Sequence, residues 1–230
     1  MLGASANARR AVATTGGRKN RDLPIKPMKT SVIYRSPFLY EALIFARYQR
    51  AYFERSRVVA KLIPEESSVV DLCCGPATLY QHHLRRKNIT YTGLDINPRF
   101  IERLSSWGAT GIRWDIAESE PFPQADYLIM QGSLYHFLPN PLPIVDRMLV
   151  AARRQVIITE PIRNLTDSKF PMVAWLARKM TNPGTGDQPS RFTEALLDTF
   201  FEPYRKSGHV QVSYRVAGNR EKLYVLNAKP

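Results

Sequence analysis

Cysteine is nearly absent from the 230 residues: only Cys73 and Cys74 occur, side by side. Adjacent cysteines rarely form a native disulfide, and no third exists to pair with either. Two thiols without convergent histidines make no zinc signature either, so no metal is expected. They read as small buried thiols in a reducing compartment. Long apolar runs are also missing. The most apolar stretches, such as residues 127–130 and 156–158, are strand-sized, well short of the roughly 20 residues a membrane span needs. The opening MLGASANARRAVATTGGRKNRD has no hydrophobic signal core. A cytoplasmic protein is therefore expected rather than an exported one, with peripheral contact at a membrane left open. Acid is scarce: 20 Asp and Glu stand against 33 Lys and Arg, a net charge of +13.

That charge is unevenly spread. Residues 1–29 hold Arg9, Arg10, Arg18, Lys19, Arg21, Lys26 and Lys29 against Asp22 alone. This Ala/Gly/Thr-rich stretch has little to bury and reads as a disordered basic tail. Such a tail can make weak contact with nucleic acid or an anionic membrane. Residues 30–230 are ordinary globular sequence, 44% of the whole chain being apolar, and are expected to form a single domain.

From Ser36, apolar or aromatic residues recur at Phe38, Ala42, Phe45, Ala46, Tyr48, Tyr52, Phe53, Val59 and Leu62. Those spacings of three and four predict amphipathic helices that stop at Pro64. Strand-like runs follow at 68–72, 89–95, 110–114, 126–131 and 155–160, with helices predicted at 77–87, 98–107 and 141–152. A helix over 194–201, capped by Thr193, then leads into paired strands at 209–216 and 222–228. The pattern predicts an α/β fold: a doubly wound, mostly parallel seven-stranded sheet with a C-terminal antiparallel hairpin and added N-terminal helices. Residues 161–192 are long for a connection, and 169–180 has helical spacing. Leaving the carboxyl end of a strand, this segment is a candidate substrate-side insertion.

The first strand runs into VVDLCCGPATL (69–79). An acid at a strand end followed by a turn of small residues lets a ligand approach the backbone closely, and the acid can meet a cationic group on it. Here the sequence resembles the class I (Rossmann-like) S-adenosylmethionine (AdoMet)-dependent methyltransferases of small-molecule type, whose first motif is acid-x-Gly-x-Gly-x-Gly. Asp71 matches the acid and Gly75 the second glycine, while Cys73 and Ala77 stand where the first and third are usual. The next strand ends at Asp95, twenty-four residues on, where the resemblance implies a ribose-binding carboxylate with Ile96 against the adenine. Asp115, after the third strand, resembles the acid that receives the adenine amino group, with Trp114 or Ile116 covering the ring. Gln131 and Gly132, ending the fourth strand, would lie near the methionine portion. A dinucleotide fold would want Gly-x-Gly-x-x-Gly, whereas Cys73, Gly75 and Thr78 occupy those positions.

Methyl transfer chiefly asks a protein to orient a nucleophile and exclude water, with a base only where a proton must leave early. His136 and Tyr135, beyond the fourth strand, are the candidate catalytic residues, and Glu160, ending the fifth, could orient an amine or hydroxyl. Tyr34, Tyr40, Tyr48 and Tyr52 are candidate linings of an acceptor pocket, and Arg163 and Arg191, flanking the insertion, could meet an anionic acceptor. The Asn/Asp-Pro-Pro-aromatic signature of amino-methylating DNA enzymes is replaced by GSLYH. The resemblance thus implies methyl transfer to O or N of a small-molecule, natural-product or lipid-type acceptor. Two alternatives are an RNA or other nucleic-acid methyltransferase using the basic tail, and a non-catalytic interaction protein of the same fold.

Overall fold

In the computed structural model the described residues are 50–162 and 191–230, with side chains from residue 53 onward in the first stretch. The basic tail, the helical pattern before Arg50 and the insertion helix at 169–180 lie outside them. A helix α1 (Arg50–Lys61) precedes strands β1 (Ser68–Leu72), β2 (Thr90–Asp95), β3 (Thr110–Arg113), β4 (Ala125–Gln131) and β5 (Ala152–Pro161). Helix α2 (Pro98–Ser106) joins β2 to β3, and α3 (Leu142–Ala151) joins β4 to β5. Helix α4 (Glu194–Lys206) then leads into β6 (Val210–Val216) and β7 (Glu221–Asn227).

The seven strands form one sheet in the order β3-β2-β1-β4-β5-β7-β6. The first five are mutually parallel and β7 runs against β5 and β6. This is the expected doubly wound arrangement with its terminal hairpin. Alternation along each strand divides the core into two layers. Val70, Leu72, Leu128, Met130, Val156, Ile158, Tyr224 and Leu226 meet α3 and α4 through Val145, Met148, Leu197 and Phe201. Val69, Ile129, Ile157, Leu223 and Val225 meet α1 and α2 through Val59 and Leu104.

Local chemistry sets the helix ends. Asn97 accepts a hydrogen bond from the Arg99 N–H with Pro98 opening α2, and Thr193 accepts from the Leu196 N–H at the start of α4. The carbonyls of Ala60 and Ile63 at the end of α1 receive the Lys87 ammonium at 2.8 and 2.7 Å, a cation placed where the helix dipole favours one.

Two helices depart from expectation. In place of a regular helix over 77–87, Tyr80–Leu84 closes as a π turn, with Arg85 N–H donating to the Tyr80 carbonyl at 2.8 Å. The wider turn lets Tyr80 pack on Tyr91, ring centres 4.7 Å apart, while Leu84 is fully buried. Helix α4 continues past Phe201 and through Pro203. The further turn places Tyr204 against Phe201 and its hydroxyl 2.7 Å from Asp146, and those contacts offset the backbone bond that Pro203 cannot make.

Gly93 on β2 is where α2 comes closest. A Cβ there would overlap Leu104 Cδ2 and stand 2.9 Å from Cys74 Sγ. Gly93→Ala should destabilise the fold by about 1–3 kcal/mol, the usual cost of overpacking a filled core, read from the midpoint of chemical denaturation. A midpoint equal to the parent's would show that α2 yields freely.

Candidate functional site

Five parallel strands end on one edge, and the chain reverses its direction of travel between β1 and β4, which lie side by side. The loops leaving these two strands diverge there and open a crevice. Because β7 is antiparallel, its beginning reaches the same edge: Glu221 lies opposite Pro161.

The β1 loop forms one lip. Cys73, Gly75 and Ala77 all adopt φ near +55°, the left-handed region that favours glycine. Three alternate residues thus hold a backbone that favours glycine, although only one of them is glycine. Tertiary bonds hold this shape: Cys74 N–H donates to the Leu94 carbonyl at 3.1 Å and Gly75 N–H to the Asp95 carboxylate at 2.9 Å. A Cβ on Gly75 would meet nothing within 4 Å, so the loop borders open space.

Asp71, Asp95 and Gln131 share one face of the sheet by strand alternation. Asp71 is 2% exposed and accepts a 2.6 Å hydrogen bond from the Tyr91 hydroxyl. Burial raises its carboxyl to about 7 against the lowering effects of that bond and of Arg55. Asp95 accepts from Gly75 N–H and, at 2.8 Å, from Asn97 N–H. Burial nonetheless lifts it to about 6. Asp115 accepts from Ala117 N–H at 3.0 Å, while Trp114 N–H donates to the Asp95 carbonyl. Ile96 is half-buried beside them. Ile116 departs from its expected place over a ring: it is buried within the core that meets α3, its carbonyl taken by Arg147.

The other wall comes from β4 and β5. Glu160 is fully buried and accepts from Leu134 N–H at 2.6 Å. Burial, with Glu221 adding a like charge, drives its carboxyl to about 8 despite that bond. The Tyr135 and His136 rings lie with centres 4.0 Å apart, tilted by 38°, and the Arg191 guanidinium lies 4.4 Å from the Tyr135 ring centre. Burial, and then the charge of Arg191, lower the His136 imidazole to about 4. Cys73 sits between the walls: its thiol feels Asp71, Asp95 and Glu160 and is hydrogen-bonded by Ser133. Burial pushes it well above the usual thiol range, so it is a neutral lining group.

The structure thus gathers Asp71, Cys73, Gly75, Ala77, Asp95, Ile96, Asp115, Gln131, Gly132, Tyr135, His136, Glu160 and Arg191 along one edge. Tyr34, Tyr40, Tyr48 and Arg163 lie outside the described residues, as does the side chain of Tyr52. Sequence reading missed Tyr91, Arg55 and Glu221. Arg55 pairs with Glu221 at 3.2 Å, acts on Asp71, and would lie 3.1 Å from a Cβ on Gly132. Each is a cross-strand or helix-to-sheet partner with no signal in its own neighbourhood.

Of the buried polar side-chain atoms without a hydrogen-bond partner among the described residues, four belong to the residues of this edge: Trp114 Nε1, Gln131 Oε1, His136 Nδ1 and Glu160 Oε2. Unpaired groups of this kind are costly in a finished core and suit a site completed by a ligand. None of the gathered carboxyls, Asp71, Asp95, Asp115 and Glu160, forms an ion pair among the described residues. A ligand with a cationic end, hydroxyls and an aromatic ring fits this donor and acceptor set.

This sheet order and its crevice define the fold of the class I AdoMet-dependent methyltransferases. The family profile described as methionine biosynthesis protein MetW matches residues 53–184, more than half of the chain, and the chain belongs to that family. Solved structures similar to it include the putative methyltransferase complexed with the Trm112 methyltransferase activator of Haloferax volcanii, with TM-score 0.65 and 13% identity over 90% of this chain and 100% of that one. Magnesium protoporphyrin IX methyltransferase from Synechocystis PCC 6803, solved with bound SAH (S-adenosylhomocysteine), gives TM-score 0.54 and 13% identity over 79% and 83%. The plantazolicin methyltransferase BamL, solved with a triazolic desmethylPZN analogue and SAH, gives 0.56 and 13% over 80% and 85%. No curated protein matches the chain. Among the described residues, no helix is long and apolar enough to cross a membrane.

The buried Glu160 makes stability depend on pH. Its folded carboxyl, near 8, lies above the ordinary 4.5, so the folded state binds the proton more tightly. Its contribution is full below about 4.5 and is lost as pH rises toward 8. Asp71 and Asp95 act with the same sign at lower pH. Thermal unfolding should therefore shift downward from pH 5 to 8 in the parent, and more shallowly in Glu160→Gln. Equal slopes in the two would mean that Glu160 is ionised in the fold.

Proposed function

We propose that the chain binds AdoMet in this crevice and transfers its methyl group to O or N of a small-molecule, natural-product or lipid-type acceptor. The observation that carries the reading is the loop after β1. Three alternate residues are held left-handed, two of them against their own preference, and Asp71 and Asp95 lie behind them at the ends of β1 and β2. Such a loop brings backbone close to a ligand while the carboxyls supply acceptors for a cation and a diol. The porphyrin and plantazolicin enzymes named above lend support for a small-molecule or natural-product acceptor.

When bound, AdoMet supplies an electrophilic methyl on a positively charged sulfur. Asp71, with Arg55 beside it, would hold the amino-acid end. Asp95 would take the ribose hydroxyls. Asp115 would receive the adenine amino group, with Ile96 and Trp114 against the ring. Gln131 and Gly132 would border the sulfonium, and Tyr135, His136 and Glu160 would form the acceptor wall. The work assigned to these residues is alignment and exclusion of water, which is most of what an in-line displacement needs.

Calorimetric titration of AdoMet tests the reading. Asp95→Ala should weaken binding roughly 10–100-fold, the worth of charge-assisted hydrogen bonds. A folded parent that fails to bind AdoMet would sink it, and tight binding without turnover on any acceptor would favour a non-catalytic role. Proton linkage gives an independent check. Asp71, near 7 when free, should be driven lower by a cation beside it. Binding near pH 7 should therefore release protons and strengthen as pH rises from 6 to 8, measured in buffers of different ionisation heat. Proton uptake on binding would place the cationic end elsewhere.

A further inference from the structure

Among the described residues the acceptor wall carries a cation and no strong base. Arg191 lies over the Tyr135 ring at 4.4 Å, and the His136 ring centre lies 4.0 Å from that of Tyr135. Among the described residues no carboxylate pairs with Arg191. A guanidinium stacked on an aromatic ring has its plane fixed while its N–H groups stay free to fork onto two oxygens. The Tyr135 ring is itself held in the core that meets α3 and α4, so the cation is mounted on a rigid part of the fold.

Each acceptor class meets this wall differently. A hydroxyl or phenol must give up a proton, and the group nearest to hand is His136, neutral and weakly basic because it is buried near a cation. Glu160 holds its own proton at neutral pH and cannot take another. An amine arriving as ammonium meets the like charge of Arg191. A carboxylate is already anionic at neutral pH, needs no base, and is attracted by the charge of Arg191.

We propose that the acceptor is a carboxylate-bearing small molecule, held by Arg191 and methylated on a carboxylate oxygen to give a methyl ester. The inference rests on the methyl-transfer reading above. A lone pair of the carboxylate oxygen forms the bond to the methyl carbon as the carbon–sulfur bond breaks, and that bonding pair passes to sulfur. The sulfonium becomes a neutral thioether, the anion a neutral ester, and no proton moves. Because the carboxylate loses its charge on the way to the transition state, Arg191 holds the bound acceptor more strongly than the reacting one. The neutral ester then leaves without an ion pair to break.

The test uses the full chain, methyl-labelled AdoMet, and benzoate and octanoate beside phenol, benzylamine, octanol and octylamine. Esters release volatile labelled methanol in alkali, whereas ethers and methylamines do not. Volatile label from a carboxylate, with Arg191→Gln raising KM roughly 10–100-fold while kcat rises or holds but does not fall, and Arg191→Lys recovers part of the KM loss, is the expected result. SAH affinity unchanged in both variants shows that they are folded. Label only in alkali-stable products, or no volatile label from either carboxylate by a parent that binds AdoMet, overturns the proposal. Failure of the parent to bind AdoMet overturns the underlying reading instead.

Discussion

Between the ends of β1 and β2, the N–H of Gly75 reaches the Asp95 carboxylate across 2.9 Å, and much of the crevice is arranged around that bond. It holds a loop whose residues would otherwise prefer other conformations. It also fixes the carboxylate whose partner oxygen accepts from Asn97 at the mouth of α2. The bond exists because β1 and β2 are paired in parallel, Leu72 opposite Leu94, so that both chains leave the sheet on the same side. Sheet pairing sets the loop, the loop sets the lip, and the lip defines where a ligand can lie.

The two walls differ in charge as well as in composition. On one, burial raises the proton affinity of two carboxyls, and a cation beside them would oppose that rise. On the other, an arginine and a neutral imidazole flank a tyrosine ring. A displacement reaction between a cationic donor and an anionic acceptor asks for this division. Each partner is drawn to its own side, and the two charges cancel as the reaction proceeds. Cys73, neutral because it is buried, separates the walls without adding a charge to either.

Much of this architecture was legible in the residues. The strands announced themselves as short apolar runs, and their ends fell within three residues of those observed because buried parallel strands carry little else. Asp71 and Asp95 stood out because each closes such a run. What was not legible is non-local. Tyr91 meets Asp71 only through strand pairing, and Arg55 meets Glu221 across 166 positions. Ile116 looked like a ring cover from its place after β3, yet Arg147 and the adjoining core claim it. Protonation was likewise hidden: Glu160 and Glu194 are the same residue type, one buried and raised, the other exposed to Arg215 and lowered. The helical stop at Phe201 failed because Tyr204 finds partners that spacing alone does not name.

The pair between Arg55 and Glu221 joins the helix before β1 to the first residue of the last strand. Closing a loop of that length is entropically slow, and the reward arrives only once the intervening strands are in order. The wall beside Asp71 therefore includes a contact that forms only when the first helix and the last strand are both in place. The two ends of the described chain are thereby tied together next to the crevice, and the inverted strand becomes part of the electrostatic surroundings of Asp71 through Arg55.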